Sequence, residues 1–137
     1  MEEGMTTRKK IIYETLRLFS ERGYDGVSMR EIAAAVGIKG ASIYNHFKGK
    51  VMIFQEIFIE MTKRYDDFAK TMYIPIKEGV GTINHYLHIE EEQLFQTADG
   101  LFSFFTQDEF AVRFRKMIIS EQYKFDLAAT YLAHYYM

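Results

Sequence analysis

Cysteine is absent from this chain of 137 residues. That excludes a disulfide framework, a thiolate zinc site and a cysteine nucleophile, and it fits a reducing compartment. Proline occurs once, at position 75, and no long glycine or serine tract interrupts the chain. Neither a flexible linker nor a disordered tail is therefore expected. No stretch approaches the roughly 20 uninterrupted apolar residues of a membrane span. The N-terminus is charged, with no apolar stretch leading to a cleavage site, which is unlike a secretory signal. These absences predict a soluble, cytoplasmic protein with no membrane partner. No alternating strand run stands out either.

What is present points to helices. Apolar residues make up 48% of the chain, enough for a buried core. They recur at 3.6-residue spacing among good helix formers, which predicts an all-α fold. The length suits one domain, or a small domain joined to a short second unit. The net charge of −2 hides an asymmetry. Residues 1–50 hold nine Lys or Arg against six Asp or Glu, whereas the remainder holds eight against thirteen. A basic front half suits a polyanion and an acidic rear half repels one.

Ile12, Leu16 and Phe19 share one face of a helix expected over residues 6–22, with Ile11 and Leu18 widening the stripe. Arg8, Lys9 and Lys10 occupy its first turn, where the helix dipole disfavours cations unless something anionic lies near. Gly23 ends the helix and Tyr24-Asp25-Gly26 makes a turn. Ser28-Met29-Arg30-Glu31 is a capping box, so a second helix starts at Ser28 and runs through Val36. Gly37 supplies a sharp turn into a short third helix over residues 40–46. Two short helices joined by a tight turn form a helix-turn-helix. A long fourth helix is expected over residues 48–71, with Val51, Phe54, Ile57, Phe58 and Met61 on its apolar side. Pro75 marks a boundary. A further helix is expected over residues 77–98, carrying Ile83, Leu87, Leu94 and Phe95. Asp99-Gly100 is expected to break it, before a short piece at 101–106 and a longer one from Asp108 onward.

In a helix-turn-helix the second helix enters the major groove, and its early residues face base edges. Lys39-Gly40-Ala41-Ser42 open the third helix with small or cationic side chains that permit close approach. Tyr44 and His46 can donate to phosphate oxygens, and Asn45 can read a base edge. Lys50 stands at the start of the fourth helix, and Arg30 could reach the other wall of the groove. Ile32, Val36, Ile38, Ile43 and Phe47 read as core holding the helices at their angle. The Tyr44 ring can equally be a packing group.

The run Ser28-Met29-Arg30-Glu31-Ile32-Ala33-Ala34-Ala35-Val36-Gly37-Ile38-Lys39-Gly40-Ala41-Ser42-Ile43-Tyr44-Asn45-His46-Phe47-Lys48-Gly49-Lys50 resembles the signature of tetracycline-repressor (TetR) family regulators. The resemblance covers roughly residues 6–55 without insertion or deletion. It implies recognition-helix roles for Ser42, Tyr44, Asn45 and His46, a phosphate-binding role for Lys50, and a DNA contact for Arg30. It also implies a repressor that binds a palindromic operator on double-stranded DNA as a homodimer and is released by a small-molecule effector. The expected architecture is a helix-turn-helix domain, residues 1–50, joined by the long fourth helix to a helical ligand and dimerisation domain, residues 51–137. Chains of the family commonly continue for another fifty or so residues, so this second domain is expected to be partial. Without its last helices it would leave apolar surface uncovered, inviting self-association.

Within the rear half, Phe95, Phe102, Phe104, Phe105, Phe110 and Phe114, with Met117, could line an apolar ligand pocket. The same residues also read as plain core. Glu90-Glu91-Glu92 could attract a cation or be a solvated face. His85, His88 and Glu92 would share one helical face, which allows a metal sterically. No fourth ligand is evident, however, and neither a metal nor a cofactor is implied. No nucleophile–base pair, phosphate loop or paired carboxylate site suggests an enzyme. The competing reading is a helical protein-interaction module with a vestigial DNA reader.

Overall fold

Thr6 opens the first helix. Its backbone is extended and its hydroxyl accepts from the Lys9 amide at 3.2 Å, satisfying one of the donors every helix start leaves free. The computed structural model describes residues 4–71 and 91–136. Among them are six α-helices and one short 3-10 turn: α1 (Thr7–Arg22), α2 (Met29–Val36), the turn Ser42–Asn45, α3 (Lys50–Thr71), α4 (Glu91–Gln107), α5 (Glu109–Glu121) and α6 (Asp126–Tyr136). No strand occurs among the described residues. The all-α expectation holds.

Helix α1 is the central post, packing against α2, α3 and α5. Ile11, Ile12, Leu16, Leu18 and Phe19 are buried along it, as their spacing predicts. They join Ile32, Ile43 and Phe47 in front, and Phe54, Phe58, Phe114 and Ile118 behind, in one hydrophobic cluster. Burying each such side chain contributes roughly 1.5–3 kcal/mol. The front helices and the rear helices therefore share a core.

Three expectations are corrected. Asp99-Gly100 does not break a helix, because α4 runs unbroken from Glu91 to Gln107. A mid-helix glycine costs only about 1 kcal/mol against alanine, and packing beyond it outweighs that. Phe104 stacks on Phe68 at 4.7 Å, and Phe105 meets Tyr65 at 6.0 Å. Second, the stretch from Asp108 onward is two helices rather than one. Asp108 caps α5 by accepting from the Ala111 amide at 2.9 Å. At the far end the Glu121 carbonyl receives both the Lys124 and Phe125 amides, closing a turn that sends Phe125 against Tyr24 and Phe54. Third, the short third helix is a four-residue 3-10 turn flanked by single turns. Serine and asparagine are poor helix formers, and so short a segment favours the tighter form. The expectations at Pro75, Ile83, Leu87, His85, His88 and Glu90 lie outside the described residues.

Arg64 ties these helices together. From α3 it donates to the Tyr13 hydroxyl at 2.7 Å and to Asp108 at 3.1 Å, and its guanidinium lies 4.9 Å from the Phe110 ring centre. One side chain thus links α1, α3 and the start of α5.

Candidate nucleic-acid interface

The serine cap of α2 forms as its sequence predicts, whereas Glu31 returns to the Ser28 hydroxyl rather than to the Ser28 amide of a full capping box. Ser28 is extended, its hydroxyl accepts from the Glu31 amide at 3.1 Å, and the Glu31 carboxylate accepts from that hydroxyl at 3.2 Å. Arg22 pairs with the same carboxylate. The α2 end closes on Gly37, whose φ of 88° favours glycine. Gly37 donates to Ala34 and Ile38 donates to Ala33 at 3.0 Å, the double bond of a Schellman motif. This closure reverses the chain toward Ser42.

Ile43 and Phe47 then anchor the next turn. Both are buried, and the Phe47 amide donates to the Ile43 carbonyl at 3.1 Å. With those positions held inside, Tyr44, Asn45 and His46 are exposed and Ser42 is half-buried. Lys39, Gly40 and Ala41 are exposed ahead of them, and Arg30 is exposed on α2. The sequence-predicted residues from Lys39 to His46 therefore share one short segment. Tyr44 is 55% exposed, so its ring is not a buried packing group.

Lys50 has a second attachment that sequence reasoning missed. Its ammonium donates to the Tyr24 carbonyl at 2.7 Å and lies 4.2 Å from the Tyr24 ring centre. Tyr24 is itself a junction. Its ring meets Phe19, Phe54 and Phe125 within 4.9–5.6 Å, and burial pushes its phenol above the usual tyrosine value. Its amide donates to the Glu121 carboxylate at 2.8 Å across 97 residues of sequence. Glu121 is buried, and the signal for it was legible. It falls on the Phe110, Phe114, Met117, Ile118 stripe of α5, where a carboxylate needs a partner.

Beside it, Lys124 pairs with Asp25. The hydrogen bond from Lys124 holds the Asp25 carboxyl below its ordinary value. That contact supports folding at neutral pH and is lost as pH falls through the lowered value. Asp25 is exposed, so the effect is small.

The basic first turn of α1 finds its anions within the protein. Arg8 meets Glu56 at 3.2 Å, and Lys9 meets Glu60 at 3.9 Å. Both carboxylates belong to α3.

The phenylalanines expected at a ligand pocket are spread out. Phe95 and Phe102 are 73% and 67% exposed on α4. Phe105 is half-buried beside Val112 and Ile119. Phe114 is fully buried, and Phe110, also buried, borders a cavity of about 350 Å³ with Tyr13, Arg64 and Asp108. Glu92 is exposed on α4. No helix among the described residues is long and apolar enough to cross a membrane.

Known proteins resemble this chain over its front segment. Over 49 residues the chain is 47% identical to the biofilm operon icaADBC HTH-type negative transcriptional regulator IcaR of Staphylococcus aureus, covering 36% of this chain and 26% of that one. It is 44% identical over 57 residues to the HTH-type transcriptional regulator AcrR of Shigella flexneri, covering 42% of this chain and 26% of that one. The matched stretch thus spans about a quarter of these curated relatives. A solved structure from Mesorhizobium loti MAFF303099, assigned to the TetR family, shares the fold. It matches with a TM-score of 0.69 at 24% identity, over 93% of this chain and 59% of its own. Residues 11–57 match the profile of bacterial regulatory proteins of the tetR family. Over that segment the chain is similar to tetR-family regulators.

Proposed function

We propose that this chain is a sequence-specific DNA-binding transcriptional regulator, a repressor whose 3-10 recognition turn enters the major groove. The observation that carries the reading is the turn itself. Buried Ile43 and Phe47 leave Tyr44, Asn45 and His46 exposed, with Ser42 half-buried, between the cations Lys39 and Lys50. Small Gly40 and Ala41 let the backbone approach base edges. Ser42 and Asn45 read bases, Tyr44 and His46 hold phosphates, and Arg30 reaches the opposite strand. Lys50 carries three N–H donors and uses one on Tyr24, leaving two for a phosphate. The Staphylococcus aureus relative is a negative transcriptional regulator by name. Two copies reading half-sites one helical turn or more apart would match a palindromic operator.

Release by a small molecule is part of the same proposal. The Glu121–Tyr24 hydrogen bond joins the end of α5 to the loop that enters α2, so a shift of α5 would be felt by the reader. The cavity bordered by Phe110 touches α1, α3 and α5. Its volume of about 350 Å³ falls in the usual range for ligand sites, and filling it would press on the helices that hold Tyr24.

The test is to incubate the purified chain with sheared genomic DNA and sequence what it retains. A palindromic motif supports specific binding by two copies, and no retained DNA at low salt overturns the reading. Tyr44→Ala is expected to weaken binding to all sequences about tenfold, the worth of one hydrogen bond to a charged group. Lys50→Met should weaken it likewise and lower the slope of log affinity against log salt by about one. Ser42→Ala should instead change the preference between sequences. Full affinity in Tyr44→Ala, measured by fluorescence anisotropy, would remove the phosphate role given to that hydroxyl.

A further inference from the structure

The guanidinium of Arg8 joins three elements that are distant in sequence. From the first turn of α1 it donates to the His46 carbonyl at 3.3 Å, at the exit of the recognition turn. Its plane lies 4.5 Å from the Phe47 ring centre, and it meets Glu56 of α3 at 3.2 Å. We propose that Arg8 is a positioning residue of the DNA interface. It sets where the recognition turn ends, and its charge is satisfied inside the protein rather than on a phosphate. The inference rests on the DNA-binding reading above and deepens it.

Three physical points support it. The last carbonyls of a helical turn lack amides ahead of them, and Arg8 supplies a donor to one. His46 is exposed and caps the end of a four-residue 3-10 turn, an element too short to hold its own exit. A bond from α1 fixes the exit against the post of the fold. Finally, although the Arg8 side chain is about half exposed, a half-buried carboxylate lies against it, which weakens its pull on a phosphate. Only a planar fork can serve a carbonyl, a carboxylate and a ring face together. A lysine ammonium carries the same charge without that geometry.

The experiment compares the full chain with its Arg8→Lys and Arg8→Ala variants. Binding to the retained operator and to mixed-sequence DNA is measured across a salt series. Amide exchange at His46 and Phe47, both donating to the Ile43 carbonyl, is followed without DNA. Both variants are expected to lose about tenfold in operator affinity. Binding to mixed-sequence DNA and the salt slope should stay unchanged, and exchange at both amides should quicken. Arg8→Lys preserves charge and helix propensity, so its loss separates positioning from failure to fold. If Arg8→Ala lowers the salt slope by about one and Arg8→Lys restores wild-type binding, Arg8 is a phosphate contact and the proposal is overturned. Unchanged exchange in both variants overturns it as well. If the wild-type chain retains no DNA, the DNA-binding reading fails on its own, and amide exchange alone decides whether Arg8 holds the turn.

Discussion

Phe54→Ala is expected to destabilise the chain by about 3–5 kcal/mol and to lower its melting temperature by on the order of 10 °C. Phe54 is 1% exposed on α3, and its ring neighbours come from both halves. In front lie Phe19 and Tyr24, at 6.3 and 5.6 Å; behind lie Phe58 and Phe125, at 4.9 and 4.5 Å. Alanine would remove the one ring these four share and leave a void that rigid neighbours refill poorly. Because the front and rear helices share a single cluster, melting should remain one transition. Far-ultraviolet circular dichroism and the near-ultraviolet tyrosine signal should shift together. Two separated transitions, with only the rear one shifted, would mean that residues 1–50 and 51–137 hold independent cores.

Glu121→Ala should cost about 1–3 kcal/mol, the penalty for a buried donor left unpaired. The orphan would be the Tyr24 amide, which now donates to that carboxylate at 2.8 Å. Glu121→Gln keeps a side-chain carbonyl in place and should stay within about 0.5 kcal/mol of the parent chain. The contrast matters beyond stability. Tyr24 holds Lys50 through its carbonyl, so the alanine variant frees the loop that seats the lysine proposed to hold a phosphate. Glu121→Ala should therefore bind operator more weakly than its stability loss alone explains, and it should no longer respond to effector. Chemical denaturation gives the first quantity and calorimetric titration of operator the second. Equal losses in Ala and Gln would show that the charge, not the acceptor, is what Tyr24 needs.

Local rules made the front of the molecule legible. The Ser28 cap, the Gly23 and Gly37 endings, and the Ile11 to Phe19 stripe each depend on residues within one or two turns, and each stands in the structure. The rear was less legible because long-range packing overrules local preference there. Gly100 reads as a breaker until Phe104 and Phe105 are seen against Phe68 and Tyr65. The break after Glu121 carries no glycine or proline; the Glu121 carbonyl closes it, while the carboxylate is engaged 97 residues away. The candidate site divides the same way. Spacing alone places Lys39 through His46 on one segment, but the attachment of Lys50 to Tyr24 and of Arg8 to His46 spans 26 and 38 residues. No motif window reports such ties. Arg8 left one trace, a cation placed against the helix dipole, and Glu56 resolves it.

The bond between Tyr24 and Glu121 also sets an order of events at the ribosome. A chain grows at about 5–20 residues per second. The loop that enters α2 therefore waits roughly 5–20 s after Tyr24 is made before its carboxylate partner exists, 97 residues later. During that interval the turn between α1 and α2 is held by its own caps, Lys50 and Phe54, and the aromatic face around Tyr24 has no Phe125 to close it. A nascent chain should thus carry formed front helices with an unsealed seam. Whatever guards newly made proteins would meet this one at that seam first.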